Sequence, residues 1–436
     1  MAYLVLSVLG LSEIGFLIYG IMKSARKRNW AIRRLTADAI QAVLFAVMLV
    51  LPGVDTSFRF KGLIFLLVIR IAVAGLLALI NRKKVEMKKL GGKIGSLVIS
   101  LLLITLAMIP ALLFTDYKGR PLHGEYGVKM CHTILVDENR VEEFEDDGSY
   151  REVPVYFFYP DEDGVYPLVL FSHGAFGYYQ SNASTYMELA SHGYVVVSLD
   201  HPYHSFFTKD TDGKTITVDP EFMNDVMSTE DKNEEVLYEM SKEWMKLRVD
   251  DVNFVLDEII GGNEEIGPVL KMIDTERIGL MGHSMGGATA VEVAIERDDI
   301  DAVIDIDGTM LGSIKGAKDG KFILEDVELS VPILEFENEN AHKEALQAIE
   351  EDYPYPNNMI RENADVYWGC FFEGAKHMDY TDLPLFSPAL AKMLGSGDVD
   401  NEYMMDTVNS LAVEFYDCYL KGKGQFSCEE SYKGVR

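Results

Sequence analysis

The sequence predicts an α/β domain, a mostly parallel sheet covered by helices, preceded by a transmembrane helical bundle. Three observations predict it. Four apolar stretches fill the first quarter of the 436 residues. Near-continuous apolar runs then alternate with helical patterns. Within that alternation, a short apolar run turns through Gly282-His283-Ser284-Met285-Gly286-Gly287 into an alanine-rich segment.

The apolar stretches are residues 2–22, 35–51, 60–80 and 94–114. A helix crosses the hydrocarbon core in about 20 residues, within a range of roughly 17–25. Loop charge sets their orientation. Lys23, Arg26, Lys27, Arg28, Arg33 and Arg34 join the first two stretches, and Arg82, Lys83, Lys84, Lys88, Lys89 and Lys93 join the last two. The positive-inside rule makes both loops cytoplasmic. Four spans then leave everything after residue 114 outside, whereas three would set the loops in conflict. Glu13 and Arg70 fall near the centres of the first and third stretches, where pairing would offset the cost of each charge. The expected division is a membrane domain over 1–115, a linker over 116–126 and an extracytoplasmic domain over 127–436.

Charge is divided in the same way. Residues 1–114 hold 15 Lys+Arg against 4 Asp+Glu, while the remainder holds 25 against 65. So acidic a domain would repel phosphates and argues against nucleic acid as a partner. Cys131, Cys370, Cys418 and Cys428 contain no Cys-x-x-Cys pair, so a zinc site is not expected. A Cys418–Cys428 bridge stays open.

In the acidic part, residues 130–136 and 153–159 read as strands joined by a long acidic hairpin loop over 137–148. The runs 167–173 and 194–200 have the unbroken apolar character of buried parallel strands. Residues 277–281, 301–306, 331–336 and 366–372 continue the series. Helical patterns separate them, notably over 244–260. The polar segment 204–241 exceeds an ordinary connection and is a candidate lid or flanking insertion over the site.

The turn at Ser284 matches the Gly-x-Ser-x-Gly nucleophile elbow. Such a turn strains the serine backbone and lifts its hydroxyl clear of the sheet, while the N–H of Met285 faces a developing oxyanion. A serine hydroxyl needs a base, and His377, after the last strand, occupies that slot. An acid must orient the imidazole. Asp307 ends the apolar run that begins at Ala302 and is followed by Gly308; Glu337, after the next strand, is the alternative, with Glu339 beside it. Asp305 and Asp307 offer too few ligands for calcium. The N–H of Ala175, after Gly174, is the second oxyanion donor. Phe176, Tyr178, Tyr179 and His201 are candidates for the substrate pocket, with His204 beside them; core or lid packing for the aromatics and structural contacts for the histidines are the alternatives. The arrangement calls for no cofactor or metal.

Ser172-His173-Gly174, Asp200-His201, Gly282-His283-Ser284-Met285-Gly286-Gly287-Ala288, Asp307 and His377 together resemble the platelet-activating-factor acetylhydrolase group of α/β-hydrolases, also called lipoprotein-associated phospholipases A2. The pattern is also similar to bacterial polyester and lipid hydrolases. The resemblance covers roughly residues 125–420. It implies an α/β-hydrolase fold, Asp307 rather than Glu337 as the acid, oxyanion donors at Ala175 and Met285, and calcium-independent hydrolysis of short or oxidised acyl chains from phospholipids. The expected protein is a multi-pass serine hydrolase of the cell membrane, acting on lipid or small-molecule esters at the bilayer. An acyltransferase or peptidase could share the constellation. A membrane sensor or transporter centred on Glu13 and Arg70 is the non-enzymatic alternative.

Overall fold

The computed structural model describes residues 1–23, 26–83 and 85–435. Lys84, counted in the second basic loop, lies outside the described residues. The chain forms two compact units: Met1–Lys118 with Leu385–Leu390, and Gly119–Pro384 with Ala391–Arg436.

The first unit holds four long helices, α1 (Ala2–Met22), α2 (Lys27–Met48), α3 (Phe58–Ile80) and α4 (Leu90–Leu113). Of these, α1, α3 with the turn that follows it, and α4 are long and apolar enough to cross a membrane. Their outward faces carry exposed side chains such as Leu11, Phe65, Leu76 and Leu102. The second stretch differs from expectation. Its helix starts eight residues earlier than residue 35, so Arg33 and Arg34 lie on α2 rather than in a loop. Lys93 likewise lies on α4, donating to the Gly20 carbonyl at 2.7 Å. These positions weaken the loop-charge count from which four spans were expected.

Glu13 and Arg70 do meet, but within a larger cluster. Arg34 grips Glu13 through two hydrogen bonds of 2.7 and 2.9 Å, and Arg70 also bonds Asp38 at 2.6 Å. Gln41 adds a bond to Glu13 at 2.8 Å. Two acids thus face two arginines in the interior, the arrangement that makes intramembrane charge tolerable.

The second unit is built on a nine-stranded sheet: β1 (Val128–Val141), β2 (Tyr150–Pro160), β3 (Tyr166–Ser172), β4 (Val195–Leu199), β5 (Ile273–His283), β6 (Ala302–Ile306), β7 (Ile333–Asn338), β8 (Tyr367–Glu373) and β9 (Ser431–Lys433). Their spatial order is β1-β2-β4-β3-β5-β6-β7-β8-β9. The pairs β1/β2 and β2/β4 are antiparallel, and every later pair is parallel. The chain passes from β3 to β4 and then returns to the other side of β3 with β5. This reversal opens a crevice at the carboxyl ends of the central strands, where ligands bind in sheets of this kind.

Alternation along each strand feeds two cores. Leu168 and Leu170 join one with Val252, Leu256 and Val291; Val169 and Phe171 join the other with Tyr186, Phe415 and Tyr416. The first core is covered by α7 (Glu234–Ile260) and α8 (Met285–Glu296), the second by α5 (Ala183–Ser191) and the C-terminal helix Asn401–Tyr419. Helix α7 begins ten residues before the expected 244. Asn233 caps it by accepting from the Val236 N–H at 3.0 Å, and Glu234 and Glu235 favour its positive end. Its first turns therefore lie within the segment 204–241, beside α6 (Pro220–Met227) and a hairpin of Phe207–Lys209 with Thr215–Thr217. Strand β9 was not foreseen. Cys428 lies just before it, near Cys370, and all four cysteines are free.

Candidate active site

The elbow forms at the β5–α8 junction. Ser284 has φ 57° and ψ −127°, outside the regions an L-residue ordinarily adopts. Close approaches hold it there. A Cβ on Gly286 would lie 2.0 Å from the Ser172 carbonyl oxygen, and one on Gly287 would lie 1.8 Å from Asp305 Oδ1. Only glycine fits at either position, so the start of α8 can press against β3 and β6. The Ser284 N–H donates to the Ile306 carbonyl at 2.8 Å, which ties the turn to the strand that delivers Asp307.

Asp307 follows β6 with φ 56°, and its carboxylate is almost fully buried. His377 Nδ1 donates to its Oδ2 at 2.6 Å. Asn338, at the end of β7, adds its N–H at 2.6 Å and its side-chain amide at 3.0 and 2.9 Å. Burial pushes the Asp307 carboxyl up, but the bond and charge of His377, with the Asn338 bonds, outweigh it and hold it below the usual carboxylate range. Burial also opposes protonation of His377, yet the bond to Asp307 and its charge hold the imidazole above its ordinary value. The ring is flanked by protein but keeps 44 % of its side-chain exposure through the cleft. His283 braces it from behind, donating from Nε2 to the His377 carbonyl at 3.2 Å. Burial, and next the charge of His377, push His283 down to about 3, so this neighbour stays neutral.

Ser284, Met285, Asp307, His377 and Ala175 line one cleft of about 630 Å³. Val226 of α6 and Leu237, Ser241 and Trp244 of α7 form part of its wall, so the segment expected as a lid does border the site. Among the described residues no hydrogen bond joins the Ser284 hydroxyl to His377. Such contacts commonly tighten only with substrate bound. Among the same residues no protein acceptor takes the N–H of Ala175 or of Met285, which leaves both amides available at the cleft.

Several expected residues lie elsewhere. Glu337 borders the cleft, but its carboxylate is bonded to His342 at 2.9 Å and paired with Arg361, not directed at His377. Burial pushes it up to about 8, with the charge of Glu335 adding to the effect. Asp305 is fully buried under the Gly308 N–H, 3.1 Å away. Phe176 and Tyr178 are absent from the cleft wall: Phe176 packs edge-on against Phe222, and Tyr178 stacks on Phe207. Tyr179 stacks on Tyr156. His201 and His204 are buried below the site. His201 is held between Ser172 Oγ and Asp251 Oδ2, each at 2.9 Å, and cannot touch a substrate in the cleft. Asn338 and His283 were not singled out as supports for Asp307 and His377. The sequence offered a signal only for His283, which sits inside the elbow.

Comparisons with known proteins bear on the fold and the family. The chain is 24 % identical to a platelet-activating factor acetylhydrolase from Cavia porcellus over 300 residues, 63 % of this chain and 62 % of that protein. It thus spans less than two thirds of that relative's length. It is 28 % identical to cutinase 2 of Thermobifida cellulosilytica over 169 residues, 39 % of this chain and 48 % of the cutinase. A ferulic acid esterase from Streptomyces cinnamoneus shares the fold, with a TM-score of 0.52, 20 % identity and coverage of 70 % of this chain and 93 % of that one. The family model for platelet-activating factor acetylhydrolase, isoform II, matches residues 155–433, well over half of the sequence, and the chain belongs to that family.

Proposed function

We propose that the chain is a membrane-anchored serine ester hydrolase acting on lipid or short-acyl carboxylic esters. The observation that carries this reading is the Asp307–His377 bond of 2.6 Å, bordering the same cleft as a strained Ser284. In the proposed reaction Ser284 Oγ attacks the ester carbonyl while His377 Nε2 accepts the hydroxyl proton. Asp307 keeps the other imidazole nitrogen protonated and stabilises the imidazolium. The N–H groups of Ala175 and Met285 donate to the oxyanion of the tetrahedral intermediate. That intermediate collapses as His377 returns the proton to the departing alcohol. Water, deprotonated by the same imidazole, then releases the acid and restores the serine.

The relatives support the ester chemistry through their names: acetylhydrolase, cutinase and 1-alkyl-2-acetylglycerophosphocholine esterase. The three apolar helices support anchoring in a bilayer; an extracytoplasmic hydrolase domain requires α2 to be a fourth span, which leaves both basic loops on the cytoplasmic side. A panel of phospholipid and short-chain esters, assayed with wild type and Ser284→Ala, tests the proposal. Turnover of carboxylic esters that vanishes in the variant is expected. Turnover only of amides, or acyl transfer to alcohols in preference to water, would move the protein to another class of acyl chemistry.

A further inference from the structure

Arg248, on α7, is among the largest fully buried side chains of the described residues. A buried cation is costly unless it is paired. Yet its hydrogen bonds among the described residues go only to neutral acceptors: NH1 to the His173 carbonyl at 2.5 Å, NH2 to the Gly174 carbonyl at 3.4 Å, and Nε to His204 Nδ1 at 3.3 Å. The carboxylate one turn along, Asp251, is taken by Arg140, Arg151 and His201. The guanidinium fork therefore spans two successive carbonyls of the loop leading to Ala175.

Those carbonyls set the direction of the amides that follow them. In a planar trans peptide the C=O of one residue and the N–H of the next point in opposite directions. The Gly174 carbonyl is drawn into the interior by Arg248, by His173 Nδ1 at 2.7 Å and by the Gly177 N–H at 3.0 Å. The Ala175 N–H must then point the other way, and Ala175 lines the cleft beside Ser284. We propose that Arg248 is a positioning residue for oxyanion stabilisation: its fork fixes the two peptide planes that present the Ala175 N–H. This rests on the reading of Ser284 as nucleophile. Lysine keeps the charge but lacks the rigid planar fork that fixes both carbonyls in one geometry.

The test uses the full-length protein in detergent, a p-nitrophenyl ester and a phenylboronic acid that mimics the tetrahedral intermediate. Wild type, Ser284→Ala, Arg248→Lys, Arg248→Met and Ala175→Pro are compared, with thermal unfolding recorded for each. Arg248→Met is expected to lose about 100-fold in kcat, the size of one oxyanion donor. KM should barely change, and the inhibition constant of the boronic acid should rise by a similar factor. Arg248→Lys should fall in between. Adding Arg248→Met to Ala175→Pro should cost little more than Ala175→Pro alone, because both remove one interaction. Folded Arg248 variants with wild-type kcat, or with losses that match only their unfolded fraction, would overturn the proposal. So would failure of both Arg248 variants to fold, which would assign the residue to the core. If Ser284→Ala remains active, the nucleophile reading itself falls. If Ser284→Ala is dead and the Arg248 variants are unaffected, only the positioning role does.

Discussion

Two histidines in the hydrolase-like unit are each bonded to an aspartate, and their surroundings differ. His201 is bonded to Asp251 and to Ser172, both at 2.9 Å, and the three residues are almost completely buried. His377 is bonded to Asp307 at 2.6 Å and opens on the cleft that Ser284 also lines. By connectivity the buried set is the more complete. Its electrostatics disqualify it. Burial, and next the charge of Arg248, push His201 down to about 4 despite Asp251, so the ring resists the proton a base must take. For His377 the Asp307 carboxylate wins over burial and the shift is upward. Ser172 is almost fully buried, out of an ester's reach, and unlike Ser284 it is not among the described residues with positive φ. Hydrogen-bond order among three side chains is therefore a weak criterion; access, an imidazole that can gain a proton and unengaged backbone donors separate the two sets.

Substitution should separate them most sharply at the serines. Ser284→Ala is expected to lower kcat on a short ester by on the order of 10⁴–10⁶-fold. Ser172→Ala should leave kcat near wild type and act on stability, because it strands a buried imidazole nitrogen. Measuring turnover and the unfolding midpoint of both variants checks this. Asp307→Asn should cost about 10⁴-fold in kcat by disturbing the tautomer of His377. Glu337→Gln should change the rate little, and the reverse ranking in steady-state kinetics would transfer the acid to β7.

The pH dependence should divide along the same line. If neutral His377 is the base, kcat/KM should rise with pH through an ionisation above the ordinary imidazole value of 6.5. In stability the two histidines have opposite signs. The raised pKa of His377 gives a contribution that is complete below 6.5 and is lost as pH climbs through the folded-state value. The depressed value of His201 gives one that is complete above 6.5 and is lost as pH falls towards about 4. The lowered carboxyl of Asp307 likewise contributes above 3.8 and loses that contribution as pH falls further. Raised carboxyls such as Glu337 act with the opposite sign over this window, so the test is a difference: chemical denaturation between pH 4 and 6.5 should show a less positive slope of stability against pH in His201→Gln than in wild type. An unchanged slope would remove His201 from the titrating set.

Much of the parallel sheet was legible, because a strand buried on both faces leaves an unbroken apolar run such as 167–173 or 194–200. The family resemblance was legible in the motif around Ser284, and the family match bears it out. What escaped detection depended on partners remote in sequence. Asp251 and Arg248 lie on a long amphipathic helix with no local mark, and their partners His201 and His173 are 50 and 75 residues away. His201, in the polar string Asp200-His201-Pro202-Tyr203-His204, looked like a loop residue near substrate; its burial follows from α7 closing over it. The start of α7 was missed because its first turns are acidic, with Glu235, Val236 and Glu239 exposed. Arg34 looked like a loop charge because the second apolar stretch begins at Leu35, whereas the helix extends back to Lys27 and brings Arg34 to Glu13.

The comparison between the two serines is tested most directly by covalent labelling. Full-length protein is treated with a fluorophosphonate and the modified peptide is located by mass spectrometry. The expected result is one adduct, on Ser284, absent from Ser284→Ala and retained in Ser172→Ala. An adduct on Ser172, or undiminished labelling of Ser284→Ala, would contradict it.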